Sequence, residues 1–290
     1  MTQQPTTPRD LVRRVIRPIA IAWLFLPLAF IIPWLNSTRS PYFDLTGGIG
    51  QVASVLAEVG GLVGTIVIFA FLILMVVNRS YLSLKQRGVE FLVLALLGGG
   101  LLGAGVLVNE FIIKPAVKEP RPHVKLLART PTDTPPDSSI LATTAEDFYT
   151  KDDTVREANL RAFSKKDSLA VLGDQYCFEA YGDEELFLST TVCDQWIHTI
   201  GFSFPSGHSF TAMFIAAFFL GMAFYVMLGG WRLAFIRYLV VPYGVLVCYS
   251  RTALRVHSPL DISVGGLLGI LLALLALVLV VKALTRFGGK

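Results

Sequence analysis

The chain has 290 residues, 53% of them hydrophobic and 16% charged, with a mean hydropathy of +0.61 and a formal net charge of +4. That balance excludes an ordinary soluble domain. The positive charge lies mostly beside apolar runs, so it implies no nucleic-acid partner.

A transmembrane helix needs about 20 mainly apolar residues to cross roughly 30 Å of hydrocarbon. Six runs meet that need: 17–35, 58–78, 89–113, 207–229, 236–254 and 261–284. Residues 1–16 read as a polar cytoplasmic tail. The first run follows a basic lead (Arg9, Arg13, Arg14, Arg17) but contains Pro27 and Pro33, and no small-residue cleavage pattern follows. It is therefore expected to be retained as a helix, not removed as a signal peptide. Residues 36–57 form an outer loop whose second part, "IGQVASVLAEVG", suits an interfacial helix or an extension of the second span. The third span carries "GGGLLGAG", Gly98 to Gly105, small residues that let membrane helices approach closely.

The segment 114–206 is rich in Pro, Asp, Thr and Lys and cannot span a bilayer. "RTPTDTPPDSS" reads as an irregular loop. "AEDFYTKDDTVREANLRAFSKKD" has helical composition, acidic early and basic late, as the helix dipole prefers. A small helical cap is expected here. Spans four to six follow, so residues 17–290 make one membrane domain with 114–206 as its cap and motif loop.

Orientation follows the basic residues of short segments. Arg79, Lys85 and Arg87, then Arg232 and Arg237, then Lys282, Arg286 and Lys290 join the basic lead on one side. The first outer loop offers only Arg39. The expected fold is an all-α integral membrane protein with six transmembrane helices, both termini cytoplasmic and the cap periplasmic. Cys248 lies in an apolar run and reads as a packed thiol. Cys177 and Cys193 share the outer loop, where an oxidising compartment would allow a disulfide.

Three short stretches carry charge at the membrane edge, where charge is costly and marks function. In "SRTALRVHSPLD", Ser258 reads as an N-cap, Pro259 as the first helical residue, and Asp261 as a group one turn from His257. Asp261 could reach the free amides of the turn or the ring of His257. "FPSGHSF" opens another apolar run; its backbone amides suit an anion, Gly207 permits close approach, and His208 stands beside it. "KPAVKEPRP" supplies Lys114 and Arg121 on a proline-stiffened segment, with Arg121 able to fork to phosphate oxygens. The topology puts all three stretches, and all four histidines, on the outer side. Fixed cations, an anion-binding helix start and two histidines are the means of moving a phosphoryl group.

Lys114-x6-Arg121-Pro122, Pro205-Ser206-Gly207-His208 and Ser250-Arg251-x5-His257-x3-Asp261 resemble the three-part signature of the type 2 phosphatidic acid phosphatases. These are integral-membrane lipid phosphatases related in their core to vanadium-dependent haloperoxidases. "KEPRP", "EDFYT" and "GFSFPSGH" look most like the bacterial phosphatidylglycerophosphatase B branch, while Thr130 to Ser139 diverge. The resemblance implies His257 as nucleophile, Asp261 as its orienting partner and His208 as acid and then base. It implies Lys114, Arg121, Arg251, Ser206 and Gly207 as phosphate ligands. It also implies no metal or other cofactor, a lipid phosphate substrate, and a site facing the periplasm of a bacterial inner membrane. Phosphatidylglycerol phosphate is the first expected substrate and undecaprenyl pyrophosphate the second. His123 and His198 are expected to be structural or solvated. Rival readings are a lipid-phosphate transporter, a catalytically dead scaffold and a phosphatase for soluble phosphates. Glu110 is set to pair with Lys114 four residues on.

Overall fold

Helix caps and apolar stripes define the elements of the computed structural model, which describes residues 7–30, 42–45, 48–128, 144–165, 170–172, 175–181 and 184–287. Helix α1 (Pro8–Leu24) starts where Thr7 accepts a hydrogen bond from the Asp10 amide at 3.2 Å. Leu11, Val15, Ile19 and Ala22 recur at helical spacing and are buried, while Arg9, Arg13, Arg14 and Arg17 are exposed. The stripe therefore draws residues 8–16 into the helix, where a polar tail was expected. A 3₁₀ turn, Leu26–Phe30, continues the first run; residues 31–35 of that run, Arg39 and the proline-rich 129–139 lie outside the described residues.

Strand β1 (Tyr42–Leu45) leads to α2 (Gly48–Val59) and α3 (Leu62–Val77). The two helices are bent by 62° across Gly60 and Gly61, so "IGQVASVLAEVG" is a separate arm and not a straight extension of the span. The third span runs through α4 (Leu84–Val93), a π-turn at Leu94–Gly99, α5 (Gly100–Val108), a second π-turn at Asn109–Ile113 and α6 (Lys114–Val117). The cap holds α7 (Pro122–Leu127), α8 (Ala145–Thr150), α9 (Asp153–Lys165), β2 (Ala170–Leu172), β3 (Gln175–Tyr181), β4 (Glu184–Ser189) and α10 (Thr190–Ile197). Helix α11 (Gly207–Tyr225) follows. Then come α12 (Gly230–Phe235), a π-turn at Ile236–Val240, α13 (Val241–Ala253) and α14 (Pro259–Phe287).

Among the described residues, four helical stretches are long and apolar enough to cross a membrane: Leu84–Lys125, Gly207–Tyr225, Gly230–Ala253 and Pro259–Arg286. The bent α2–α3 pair makes a fifth. Of the six expected spans, the first does not qualify by length and composition, because α1 has 17 residues and a basic face. Its far end still reaches the level of the α14 start, where Trp23 donates to the Ser263 carbonyl at 2.8 Å.

The membrane part is all-helical, but the cap is not. Strands β1, β4, β3 and β2 form one sheet in that order, antiparallel except for the parallel β1–β4 pair. The sheet ties the first outer loop to the cap, so both lie on one side of the bundle. The expected helices within 145–167 are α8 and α9. The disulfide left open by the sequence is not present in this structure, where Cys193 is a free, buried thiol; Cys248 is likewise free and buried, as a packed thiol would be.

Helix α11 is the hub, buried almost throughout from Ser209 to Ala223. Helix α14 crosses it at backbone contact distance through Gly265 and Gly269, the G-x-x-x-G spacing of tight membrane helix pairs. A Cβ on Gly265 would lie 2.4 Å from the Ser206 carbonyl oxygen, and one on Gly269 would lie 2.1 Å from that of Phe210. The expected packing role of the 98–105 glycines holds at two positions: Gly98 abuts Phe218, and Gly105 abuts Phe210 and Leu272. Side chains such as Leu62, Val63, Phe111, Leu246 and Leu271 project outward and stay exposed. A second apolar cluster, with Trp196, Phe148, Leu127 and Val256 fully buried, holds the cap to the α13–α14 loop. At the opposite end of the bundle, Arg79 pairs with Glu90, and Arg232 donates to the Asn78 carbonyl at 2.6 Å.

Candidate active site

Two helix starts meet at the end of the bundle that carries the cap. Ser206 is the N-cap of α11, and its amide donates to the Asp261 carbonyl at 3.1 Å. Helix α14 is capped as the sequence predicts, with Ser258 Oγ accepting from the Asp261 amide at 3.2 Å and Asp261 Oδ2 accepting from the Ser258 amide at 2.7 Å. Asp261 thus takes the turn amides and also faces His257, whose Nδ1 lies 3.6 Å from Asp261 Oδ2. That is beyond a direct hydrogen bond. Ser203 spans the gap: its hydroxyl donates to Asp261 Oδ2 and lies 3.3 Å from His257 Nδ1.

The other ring nitrogen meets Arg121, whose Nη1 is 3.0 Å from His257 Nε2. A guanidinium only donates, so Nε2 carries the lone pair and the ring proton sits on Nδ1, toward Ser203. Arg121 is itself fixed by donating from Nε to the Gly201 carbonyl at 2.6 Å and from Nη1 to the Val256 carbonyl at 3.0 Å. Its backbone amide donates to Tyr149 Oη at 3.2 Å. Backbone bonds from Ser203 to Glu119 (2.7 Å) and from His123 to Arg255 (2.9 Å) stitch the three motif loops together. Lys118 and Arg255, in the left-handed backbone region at φ 55° and 57°, mark the sharp turns that bring these loops into line.

Lys114 is buried, and its Nζ donates to Glu110 Oε1 at 2.6 Å, the pairing the sequence predicts. Arg251, in the last turn of α13, is buried and fixes its neighbour from the backbone: its carbonyl accepts from the His257 amide at 3.2 Å. Arg251 and His208 line a bay of about 400 Å³ whose wall includes Glu58 and Asp194. Gly207 stands against the third span: a Cβ there would lie 3.0 Å from Glu110 Oε1 and 4.0 Å from Lys114 Nζ. The structure therefore gathers Lys114, Arg121, Ser206, Gly207, His208, Arg251, His257 and Asp261 at one end of the bundle. His123 is fully buried with its ring 5.1 Å from that of Trp196, while His198 is exposed on the cap with Nδ1 3.9 Å from Glu157.

Burial, and then the charges of Arg121, Arg251 and Lys114, hold the His257 pKa well below the ordinary imidazole value. The unfolded chain binds that proton near about pH 6.5 and the folded chain refuses it, so His257 lowers stability as pH falls through about 6.5. At neutral pH the ring is neutral and its lone pair is available. In ¹⁵N-histidine spectra, the resonance lost in a His257→Ala variant is expected not to titrate between about pH 7.5 and 5.5. A midpoint near the ordinary value would show the ring to be solvated.

Sequence reasoning missed Ser203 and Tyr149. Ser203 is a lone polar residue among aromatics two positions before Pro205. Tyr149 offers no such signal, since it is one aromatic among several in the cap. Its ring stacks on Phe202 with centroids 4.9 Å apart, and the Arg156 guanidinium lies 5.5 Å from its centroid. Burial pushes its phenol pKa up, so it remains a neutral hydrogen-bonding group. Tyr149→Phe keeps the ring but orphans the Arg121 amide, a change of roughly 1–3 kcal/mol. The expected outcome is a melting temperature lower by about 2–4 °C for each kcal/mol lost and about a tenfold lower kcat/KM; an unchanged kcat/KM would free Arg121 from this support.

A neutral imidazole lone pair stands beside fixed cations and a helix N-terminus at the mouth of a membrane bundle, an arrangement suited to binding and transferring a phosphoryl group. Residues 91–284 match the PAP2 superfamily, and the chain belongs to that superfamily. It is a multi-pass membrane protein, and its family points to metal-independent lipid phosphate phosphatase activity. No curated protein matches the chain.

Proposed function

We propose that the protein removes the terminal phosphate of phosphatidylglycerol phosphate through a phosphohistidine intermediate. The observation that carries this is His257 itself, with Nε2 bare of protons and aimed at Arg121 while Nδ1 is backed by Ser203 and Asp261. The Nε2 lone pair attacks phosphorus, and the phosphorus–oxygen ester bond breaks. His208 gives its proton to the departing alkoxide. In the second step His208 takes a proton from water, hydroxide attacks phosphorus, and the phosphorus–nitrogen bond returns its electrons to the ring. Arg121 turns from Nε2 to the phosphoryl oxygens and joins Lys114, Arg251 and the amides at Ser206 and Gly207 in holding their charge.

The bay supports the substrate order. It is lined by His208, the group on the leaving-group side, and also by Glu58 and Asp194. A carboxylate there can accept a hydrogen bond from the free hydroxyl of a glycerol leaving group, a hydroxyl that the leaving phosphate of undecaprenyl pyrophosphate lacks. A phosphatase that also takes other lipid phosphates and pyrophosphates remains within this chemistry. A transporter would need no unprotonated nucleophile backed by a carboxylate.

The basic residues support the orientation. Arg79, Arg87 and Arg232 lie at the end away from the site, which argues for termini in the cytoplasm and a site facing the periplasm of a bacterial inner membrane. Purified protein is expected to release phosphate fastest from phosphatidylglycerol phosphate, more slowly from undecaprenyl pyrophosphate and barely from sugar phosphates, with activity surviving EDTA. Loss of activity on chelation with recovery in Mg²⁺ would sink the scheme. A preference for the pyrophosphate would move the protein to lipid-carrier recycling.

A further inference from the structure

Asn109 faces the phosphate site without being one of its signature residues. It is only 2% exposed, deep in the third span. Among the described residues neither its carboxamide oxygen nor its nitrogen has a hydrogen-bond partner. Leaving such a group unpaired in an apolar setting costs roughly 1–3 kcal/mol, so its presence asks for a use.

Its position gives one. A Cβ built on Gly207 would meet Glu110 Oε1 at 3.0 Å, Asn109 Nδ2 at 3.5 Å and Lys114 Nζ at 4.0 Å. The Asn109 amide and the Lys114 ammonium therefore border the same small space over the first residue of α11. Regular helix geometry would not bring this about, because five residues place two side chains about 140° apart around the axis. The π-turn at Asn109–Ile113 changes that geometry: the Lys114 amide donates to the Asn109 carbonyl, five residues back. The wider turn brings side chains five residues apart closer to one face, and π-turns are frequent at functional sites.

We infer that Asn109 is a further substrate-binding residue, whose carboxamide donates to a phosphoryl oxygen of the lipid headgroup between Lys114 and Gly207. It adds a neutral donor to a cluster of cations, at the side of the site where Lys114 is shared with Glu110. The inference rests on the phosphatase reading, and its test separates the two.

Asn109→Leu removes the polar atoms while keeping the branch at Cγ and the number of heavy atoms, and Asn109→Asp puts an anion against the phosphate. The Leu variant is expected to melt at the same or a higher temperature than wild type. Its inhibition constant for inorganic phosphate should rise about tenfold, with a matching loss of kcat/KM on lipid phosphate. The Asp variant is expected to lose more of both. A Leu variant that melts lower, with phosphate inhibition and kcat/KM within twofold of wild type, would make Asn109 a structural group and overturn the inference. Wild type that releases no phosphate from any lipid would remove the phosphatase reading instead. Thermal stabilisation by inorganic phosphate, compared between wild type and the Leu variant, would then decide the Asn109 contact by itself: equal stabilisation overturns it.

Discussion

His257→Ala is expected to lower phosphate release on the order of 10⁶-fold, the scale seen when an enzyme loses its nucleophile. Phosphate-monoester hydrolysis is among the slowest uncatalysed reactions, so water acting without the imidazole gives almost nothing. The change should leave the fold intact. The His257 ring bonds to Arg121 and Ser203, and each keeps other partners without it: Arg121 the Gly201 and Val256 carbonyls, Ser203 the Asp261 carboxylate. His208→Ala should behave differently. Its loss removes proton transfer, worth roughly 10²–10⁴, but spares the attacking nitrogen. Brief incubation with ³²P-labelled lipid and an alkaline quench would trap an acid-labile phosphoprotein in the His208 variant and none in the His257 variant. Label retained without His257, or activity within a hundredfold of wild type, would overturn the mechanism.

Gly265→Ala is expected to cost about 10²-fold in kcat/KM although no atom of Gly265 takes part in the chemistry. The added methyl would lie 2.4 Å from the Ser206 carbonyl oxygen and 3.1 Å from its nitrogen. Backbone cannot rotate away as a side chain tip can, so the start of α11 must move by the better part of an ångström. Displacements of that size away from the reacting atoms cost about 10²-fold, and here the displaced group is the phosphate cradle itself. Gly269→Ala meets the Phe210 carbonyl at 2.1 Å, one turn further from the site. It should lower the melting temperature more than it lowers the activity of the protein that remains folded. Equal effects of the two variants on both measurements would mean that the helix crossing, not the cradle, sets the rate.

The gathering of the candidate site residues was legible because each of its parts has a local cause. Caps, prolines and basic residues at the ends of apolar runs can be read one stretch at a time, and Ser258, Pro259 and Asp261 form the helix start their order predicts. Groups that act only through tertiary contact were not legible. Ser203 matters because a 3.6 Å gap separates His257 from Asp261, and no spacing rule reveals a gap. The sheet is a different case. "LGDQ" and "YGDE" carry Gly-Asp pairs between runs that hold Tyr176, Phe178 and Phe187, a hairpin signal. The helical composition of the preceding stretch drew attention from it. The first span was misjudged at its start because Arg13, Arg14 and Arg17 mask the Leu11, Val15, Ile19 stripe when charge is weighed before periodicity. The π-turn behind Asn109 has no sequence mark, since "VNEFII" reads as ordinary helix.

The parallel pairing of β1 with β4 also constrains the order of assembly during synthesis. Tyr42–Leu45 leaves the ribosome well before its partner Glu185–Leu188 exists. Until that partner is translated, the early strand has an unpaired edge and must be kept from other chains. His257 is made later still, after the whole of the cap, so the proposed site cannot close until the start of the last helix has been synthesised.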